Sequence, residues 1–379
     1  MKDKPVMSRA EWVLQWLMLA IALSLLAFAG KAHGADGCAD NGVPVAGVDG
    51  QPSPGWMERS MLVMANACRT SPIDYRDFYL PGAGRILEAY PAQAPLRWAR
   101  GLGSSARWHS IDMATHDCLR HNDCDESRTW AARIGAYYPG WSLIGENIAG
   151  GFTDPINVIG GLVADPYMGA PAPDRSGYDG HRWNIMYAWY TELGCGFATG
   201  PGLYQRYFTQ DFGLPGTIPA LCSPIAAGTH VFLFGDTCFL ATWDAAAAPS
   251  SAELVLGGAR LPMSLHLGTL SRGTWRFVTP MGSACRSYHF EFKDARGQAW
   301  RYPAHGELRT FLEGGCTEAF VETRGCPADF DSSGTVAPMD IFEFLGAWLG
   351  GDLRADVDGD GVLKASDIFA FVSAWLSGC

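Results

Sequence analysis

Two stretches near the end of the chain set oxygen-bearing side chains at a spacing that wraps a hard cation. DFDSSGTVAPMD places Asp329, Asp331, Ser333 and Asp340 at loop positions 1, 3, 5 and 12, and DVDGDGVLKASD places Asp356, Asp358, Asp360 and Asp367 at the same positions 27 residues later. Gly334 and Gly361 stand at position 6, where such a loop bends sharply, and the backbone carbonyls of Thr335 and Val362 follow at position 7. Calcium takes roughly six to eight oxygens, so the pattern predicts two calcium ions, without which the clustered carboxylates would repel one another. A further acid stands apart from these. In LIGENIAGG, residues 143 to 151, Glu146 and Asn147 lie between apolar residues and the run closes on two glycines. Burial alone would have put apolar side chains there, so the carboxylate is expected either to satisfy backbone groups or cap a helix, or to act as a base.

These residues need elements to hold them. Each ion loop is followed by an amphipathic helix, DIFEFLGAWL or DIFAFVSAWL, so residues 326–379 read as a small α-helical calcium module made by internal duplication. It holds nine Asp and Glu against Arg354 and Lys364, and Cys326 and Cys379 bracket it as a disulfide clasp. Upstream, Met57, Met61, Met64 and Cys68 mark one helix, and Leu102, Ala106, His109 and Met113 another. AWYTELGCGFATG and LYQRYFTQDFG read as strands, which makes residues 55–213 a mixed α+β domain. Residues 214–325 run through HVFLFG, AELVLGG, WRFVTP and YHFEFKDARGQAWRYP with turn residues between, the pattern of an all-β sandwich acting as a structural domain, spacer or carbohydrate-binding platform. Disulfides Cys222 to Cys238 and Cys285 to Cys316 are expected in that segment.

Length and composition set the outer bounds. The 379 residues, 48% hydrophobic and 12% aromatic, fill more than one core. Residues 1–34 read as an export signal: Lys2, Lys4 and Arg9, an apolar run from Val13 to Gly30, and small residues Ala32 and Gly34 before a cut at Ala35. The same run is long enough to span a bilayer uncleaved. No second run of that length follows, so the expectation is a secreted or cell-surface protein without a membrane span once the signal is removed, joined by a linker at 35–54. All eleven cysteines follow the cut, as suits an oxidising compartment, and the odd number leaves at least one thiol free or intermolecular. A net charge of −11 argues against nucleic acid as a partner. There is no G-x-S-x-G, H-E-x-x-H, phosphate-cradling glycine loop or C-x-x-C.

Four segments carry a resemblance when taken in order: NACR at 66–69, CLRHNDCD at 118–125, IGENIAGG at 144–151 and GHRWNIMYAWYTELGCG at 180–196, with YFTQDFG after them. Over residues 55–213 the chain resembles the CAP superfamily (cysteine-rich secretory, antigen 5 and pathogenesis-related proteins), most of all its bacterial secreted branch. The resemblance implies a three-layer α-β-α sandwich and a cleft in which Glu146 meets two histidines, matched here by His121 and His181. Two imidazoles and a carboxylate suit a transition metal such as zinc, or proton transfer near neutral pH. A second Glu of the family pattern is missing. A Pro- and Gly-rich insertion replaces it, with Asp165 as the candidate fourth residue and Asp179 behind it. The resemblance leaves activity open: a metal or a small apolar, lipid, carbohydrate or wall-derived ligand in the cleft, or metal-assisted hydrolysis with Glu146 as general base. Residues 326–379 resemble the dockerin type I module. That implies docking to a cohesin-like or other cell-surface protein and a part in polysaccharide degradation, although aromatics stand where the polar recognition pair of a cellulosomal dockerin is expected.

Overall fold

A computed structural model describes residues 54–165, 180–217, 223–303, 307–314, 338–349 and 364–377, with Cys316, Ala328, Phe330, Val336, Ala355 and Val357. The export signal, the linker to residue 53, the insertion at 166–179, Cys222, Cys326 and Cys379 lie outside these residues. So do Asp329, Asp331, Ser333, Thr335, Asp356, Asp358, Asp360 and Val362 of the ion loops.

The methionine stripe predicts a helix with one apolar face. Helix α1 (Trp56–Thr70) instead buries all fifteen of its residues. A helix enclosed on every side must find partners for its polar groups. Asn66 does so with the backbone of Leu96, donating to its carbonyl at 2.9 Å and accepting from its N–H at 2.7 Å. Arg69 donates to the carbonyls of Ala94, Ile185, Tyr187 and Tyr190 at 2.7 to 3.3 Å, which ties two later segments to the helix. Two members of the NACR segment are thus fasteners. Helix α2 (Pro72–Tyr79) follows with proline at its first position.

One sheet runs in the order β1 (Arg97–Trp98), β3 (Glu192–Thr199), β4 (Arg206–Pro215), β2 (Trp141–Gly150), with β1 parallel to β3 and the other pairs antiparallel. Side chains alternate between its faces. Leu193, Cys195, Phe208, Phe212 and Ala149 join α1 and α5 (Pro155–Ala164) in one core. The opposite face meets α3 (Arg100–His116) and α4 (Trp130–Tyr137), through Leu102, Ile134 and Ile144 and through Met113, Tyr207 and Ile148. Helices on both faces of the sheet make the layered α-β-α arrangement. Gly194 and Gly196 let α3 lie directly on β3: a Cβ at Gly194 would come within 2.0 Å of the Gly103 nitrogen, and one at Gly196 within 2.2 Å of the Ala106 backbone. A short helix, α6 (Gly180–Met186), completes this part.

The segment expected to be all-β forms two facing sheets. One has the order β5 (Ile225–Leu233), β6 (Asp236–Asp244), β10 (Arg272–Pro280), β9 (Ser264–Thr269). The other runs β12 (Ala299–Tyr302), β11 (Ser287–Lys293), β7 (Ser251–Leu256), β8 (Ala259–Pro262), with β13 (Leu308–Arg309) also on β11. Phe239, Trp243, Leu254, Phe290 and Phe292 fill the space between them. The outer face of the first sheet is not solvated, because Val231, Cys238, Leu240 and Leu267 pack into the core that contains α1. Trp56 donates its indole N–H to the His230 carbonyl at 2.7 Å across this junction.

Disulfides join Cys285 to Cys316, as expected, and Cys118 to Cys124. The expected pairing of Cys238 is corrected, since Cys238 is a buried free thiol facing the shared core. In the tail, α7 (Pro338–Leu349) and α8 (Ala365–Ser377) stack Phe344 on Phe371 with ring centroids 4.1 Å apart and planes 1° from parallel. These two residues are equivalent in the 27-residue duplication.

Candidate functional site

Glu146 sits in the middle of β2, directly across from Asp211 of β4. Its neighbours in phase, Ile144 and Ile148, pack against the α3 and α4 side, so the carboxylate projects to that face. Only 1% of its side chain is exposed. Gly145, out of phase, leaves room on the other face, where an added Cβ would come within 2.2 Å of the Tyr190 hydroxyl. The glycine and acid of the GEN run thus serve opposite faces of one strand.

The His121 ring meets the carboxylate, with Nδ1 and Oε1 2.8 Å apart. His121 rides on the loop that leaves α3 at Asp117, in left-handed conformation with φ 49°. Several contacts fix that loop. The Cys118–Cys124 disulfide closes it, the Cys124 N–H donates to Asp112 at 2.8 Å, and His109 Nε2 lies 2.9 Å from the Arg120 carbonyl. His109 is therefore a buried support for the residue beside His121, in keeping with its position in the α3 stripe. From α4, the enclosed Arg133 donates to Glu146 Oε2, to Asp123 at 2.7 Å and to the His121 carbonyl at 3.1 and 3.2 Å. Arg128 holds the other oxygen of Asp123 at 2.7 Å.

Charge is scarce and deliberately placed here. Burial pushes Glu146 up to about 7 although Arg133 pulls it down, and burial together with the Glu146 charge raises Asp211 far above the usual carboxylate range. His121 is lowered, first by burial and then by Arg133. Burial thus favours the neutral form of each member of this facing acid pair, and of His121.

His181 belongs to a second pair. Asp165 caps α5 in left-handed conformation with φ 40°, accepts the His181 backbone N–H at 2.9 Å, and lies 3.2 Å from His181 Nδ1. The amide of Asn147 donates to the His181 carbonyl and to Gln210 at 3.1 Å, and Asn184 donates to the Glu146 carbonyl at 3.1 Å and to Asn147 at 2.9 Å. Both pairs are thereby tied to residues 146 and 147 of β2. No hydrogen bond among the described residues joins the two pairs directly.

Of the four expected residues, the structure brings His121 to Glu146 and His181 to Asp165. Among the described residues, the groups of three His, Cys, Asp or Glu donors within 4.8 Å of one another are Asp112, His116 and Cys124, and His109, Asp112 and Asp123. Neither contains a member of the expected set. Direct ligation of zinc by Glu146 and Asp165 is not what these contacts favour, since each carboxylate already faces a ring nitrogen. In each pair Nδ1 faces the carboxylate, which leaves Nε2 as the ring nitrogen open to a ligand. Arg133, Asp123 and Asp211 were not singled out from the sequence. Only Asp211 left a trace there, as an acid inside the strand pattern of YFTQDFG. In the tail, Asp340 and Asp367 are fully buried in the first turns of α7 and α8, and Asp367 accepts the Lys364 N–H at 2.8 Å.

Residues 73–212 match the family model of the cysteine-rich secretory protein family, CAP, which places a CAP domain in this part of the chain. Solved structures that match include an extracellular protein containing an SCP domain from Bacillus anthracis, at 26% identity and TM-score 0.25 over 34% of this chain and 36% of that one. An outer surface protein of Borrelia burgdorferi matches at 16% identity and TM-score 0.27, over 38% of this chain and 93% of that one. Venom allergen-like protein 4 of Schistosoma mansoni matches at 14% and 0.25, over 41% and 96%. The chain thus spans about a third of the length of the Bacillus anthracis protein. No curated protein matches the chain. Among the described residues, no helix is long and apolar enough to cross a membrane.

Proposed function

We propose that this is an exported ligand-binding protein whose CAP domain offers two carboxylate-oriented imidazoles, His121 and His181, to a ligand. The observation that carries this reading is the repeated arrangement, Glu146 behind His121 and Asp165 behind His181, with Nδ1 engaged in both cases. An ionised carboxylate at Nδ1 leaves Nε2 as a bare acceptor. Such an atom takes a divalent metal such as zinc, or a hydroxyl or amide donor of a carbohydrate or wall-derived ligand. Zinc bound there would act as a Lewis acid. His121, with 47% of its side chain exposed, and His181, with 28%, remain reachable. Histidine ring NMR of the full chain tests this. Addition of zinc, or of soluble cell-wall glycan fragments, is expected to shift the His121 and His181 signals together while leaving His230 unmoved. Silence of both rings toward both probes rules the reading out.

A second reading, a metal-assisted hydrolase acting on wall polymer, polysaccharide or peptide, is supported by the elevated Glu146, since a base near neutrality is the useful kind. Unchanged hydrolysis by Glu146→Gln would remove it. For the tail, two calcium ions and attachment to a cohesin-like or cell-surface partner form part of the proposal. Asp340 and Asp367, buried at equivalent places of a duplicated module, support the ions.

A further inference from the structure

A histidine and a carboxyl group 2.8 Å apart can share their proton in two ways. An ionised carboxylate accepts from Nδ1–H and leaves Nε2 bare. A protonated carboxyl donates to a bare Nδ1, and the ring proton then sits on Nε2. The two states present opposite faces to a ligand, one an acceptor and the other a donor.

Arg133 touches both members of this pair. Its guanidinium, with no exposed surface, donates to Oε2 of Glu146 and twice to the main-chain carbonyl of His121, so one rigid fork fixes the ring's backbone and the carboxylate it faces. Asp123 holds the fork at 2.7 Å and is held in turn by Arg128. A cation on the second carboxylate oxygen favours the anion, and an anion can only accept. We propose that Arg133 is a positioning residue that sets the direction of the His121–Glu146 hydrogen bond, so that Nδ1 carries the proton and Nε2 faces the ligand bare. This rests on the reading of His121 as a ligand-facing group, yet the tautomer is a property of the ligand-free protein and can be read without any ligand.

The experiment is nitrogen-edited NMR of the imidazole rings in the full chain at pH 8, above the titration of Glu146. The expected result is a protonated Nδ1 and an unprotonated Nε2 for His121, and transfer of the proton to Nε2 in most molecules of Arg133→Met. Stripping the guanidinium takes the buried cation from Glu146 and Asp123 and can prevent folding. The double variant Arg133→Gln with Asp123→Asn removes one charge of each sign and is expected to give the same transfer. An Nε2–H ring in the unaltered protein, or an Nδ1–H ring that persists in the variants, overturns the proposal. Failure of zinc or glycan to bind would instead count against the function proposed above.

Discussion

Glu146 carries a guanidinium on one oxygen and an imidazole at the other, and burial still lifts it to about 7. A carboxyl group raised in the folded state binds its proton more tightly there than in the unfolded chain. The stabilisation is fully present below its ordinary value of 4.5 and is lost as pH rises through about 7. Urea unfolding of the unaltered chain and of Glu146→Gln, each at pH 4.5 and pH 8, should show the variant gaining about 3 kcal/mol relative to the unaltered chain at the higher pH. The comparison across pH cancels the constant loss from leaving Arg133 without its acid. Asp211 makes a contrasting case. Burial favours its neutral form, which Asp211→Asn imitates, so the same measurement at pH 7 should find a change below about 1 kcal/mol.

The elements that hold these side chains depend on backbone contact. Helix α3 reaches β3 only because positions 194 and 196 lack a Cβ, and from α3 hang His109 and the loop that carries His121. Gly194→Ala forces the two backbones apart, so it should cost about 1–3 kcal/mol in chemical denaturation and shift the His121 ring signals without touching the site. Much of this layer could be read in advance. The stripes of α1 and α3 and the alternation along β3 and β4 carry helical and strand periods, and ordered motifs picked out His121, Glu146 and His181. Two things left no such mark. Strand β1 has two residues, too few for any period, and Arg133 stands in WAARIGAY, where a lone base on a short helix reads as solvated until folding sets three acceptors around it. The burial of α1 on all sides was equally hidden, because the surface that covers it comes from a segment about 170 residues away.

At the scale of the molecule, that segment joins the CAP domain to the sandwich through one core. Sequence periodicity separates residues 55–213 from 214–325 as two domains, and each does have its own sheet architecture. Yet Trp56 is 4% exposed, bonded to His230 and packed against Phe232 and Phe311, while Ser60 lies 2.8 Å from Thr229. Apolar area shared in this way couples the stability of both parts, because neither can unfold without exposing the other's surface. The tail has its own small apolar cluster around Phe344 and Phe371, and the calcium proposed for it would bind only its folded form. Calorimetry of the full chain in calcium should therefore show the CAP and sandwich parts melting in one transition and the tail in another, with a chelator lowering only the second. Trp56→Ala should lower the first by an amount equivalent to about 3–5 kcal/mol and leave the second unmoved. Separate melting of the CAP and sandwich parts, or a Trp56→Ala protein whose first transition stays in place, would show that the common core does not bind them energetically.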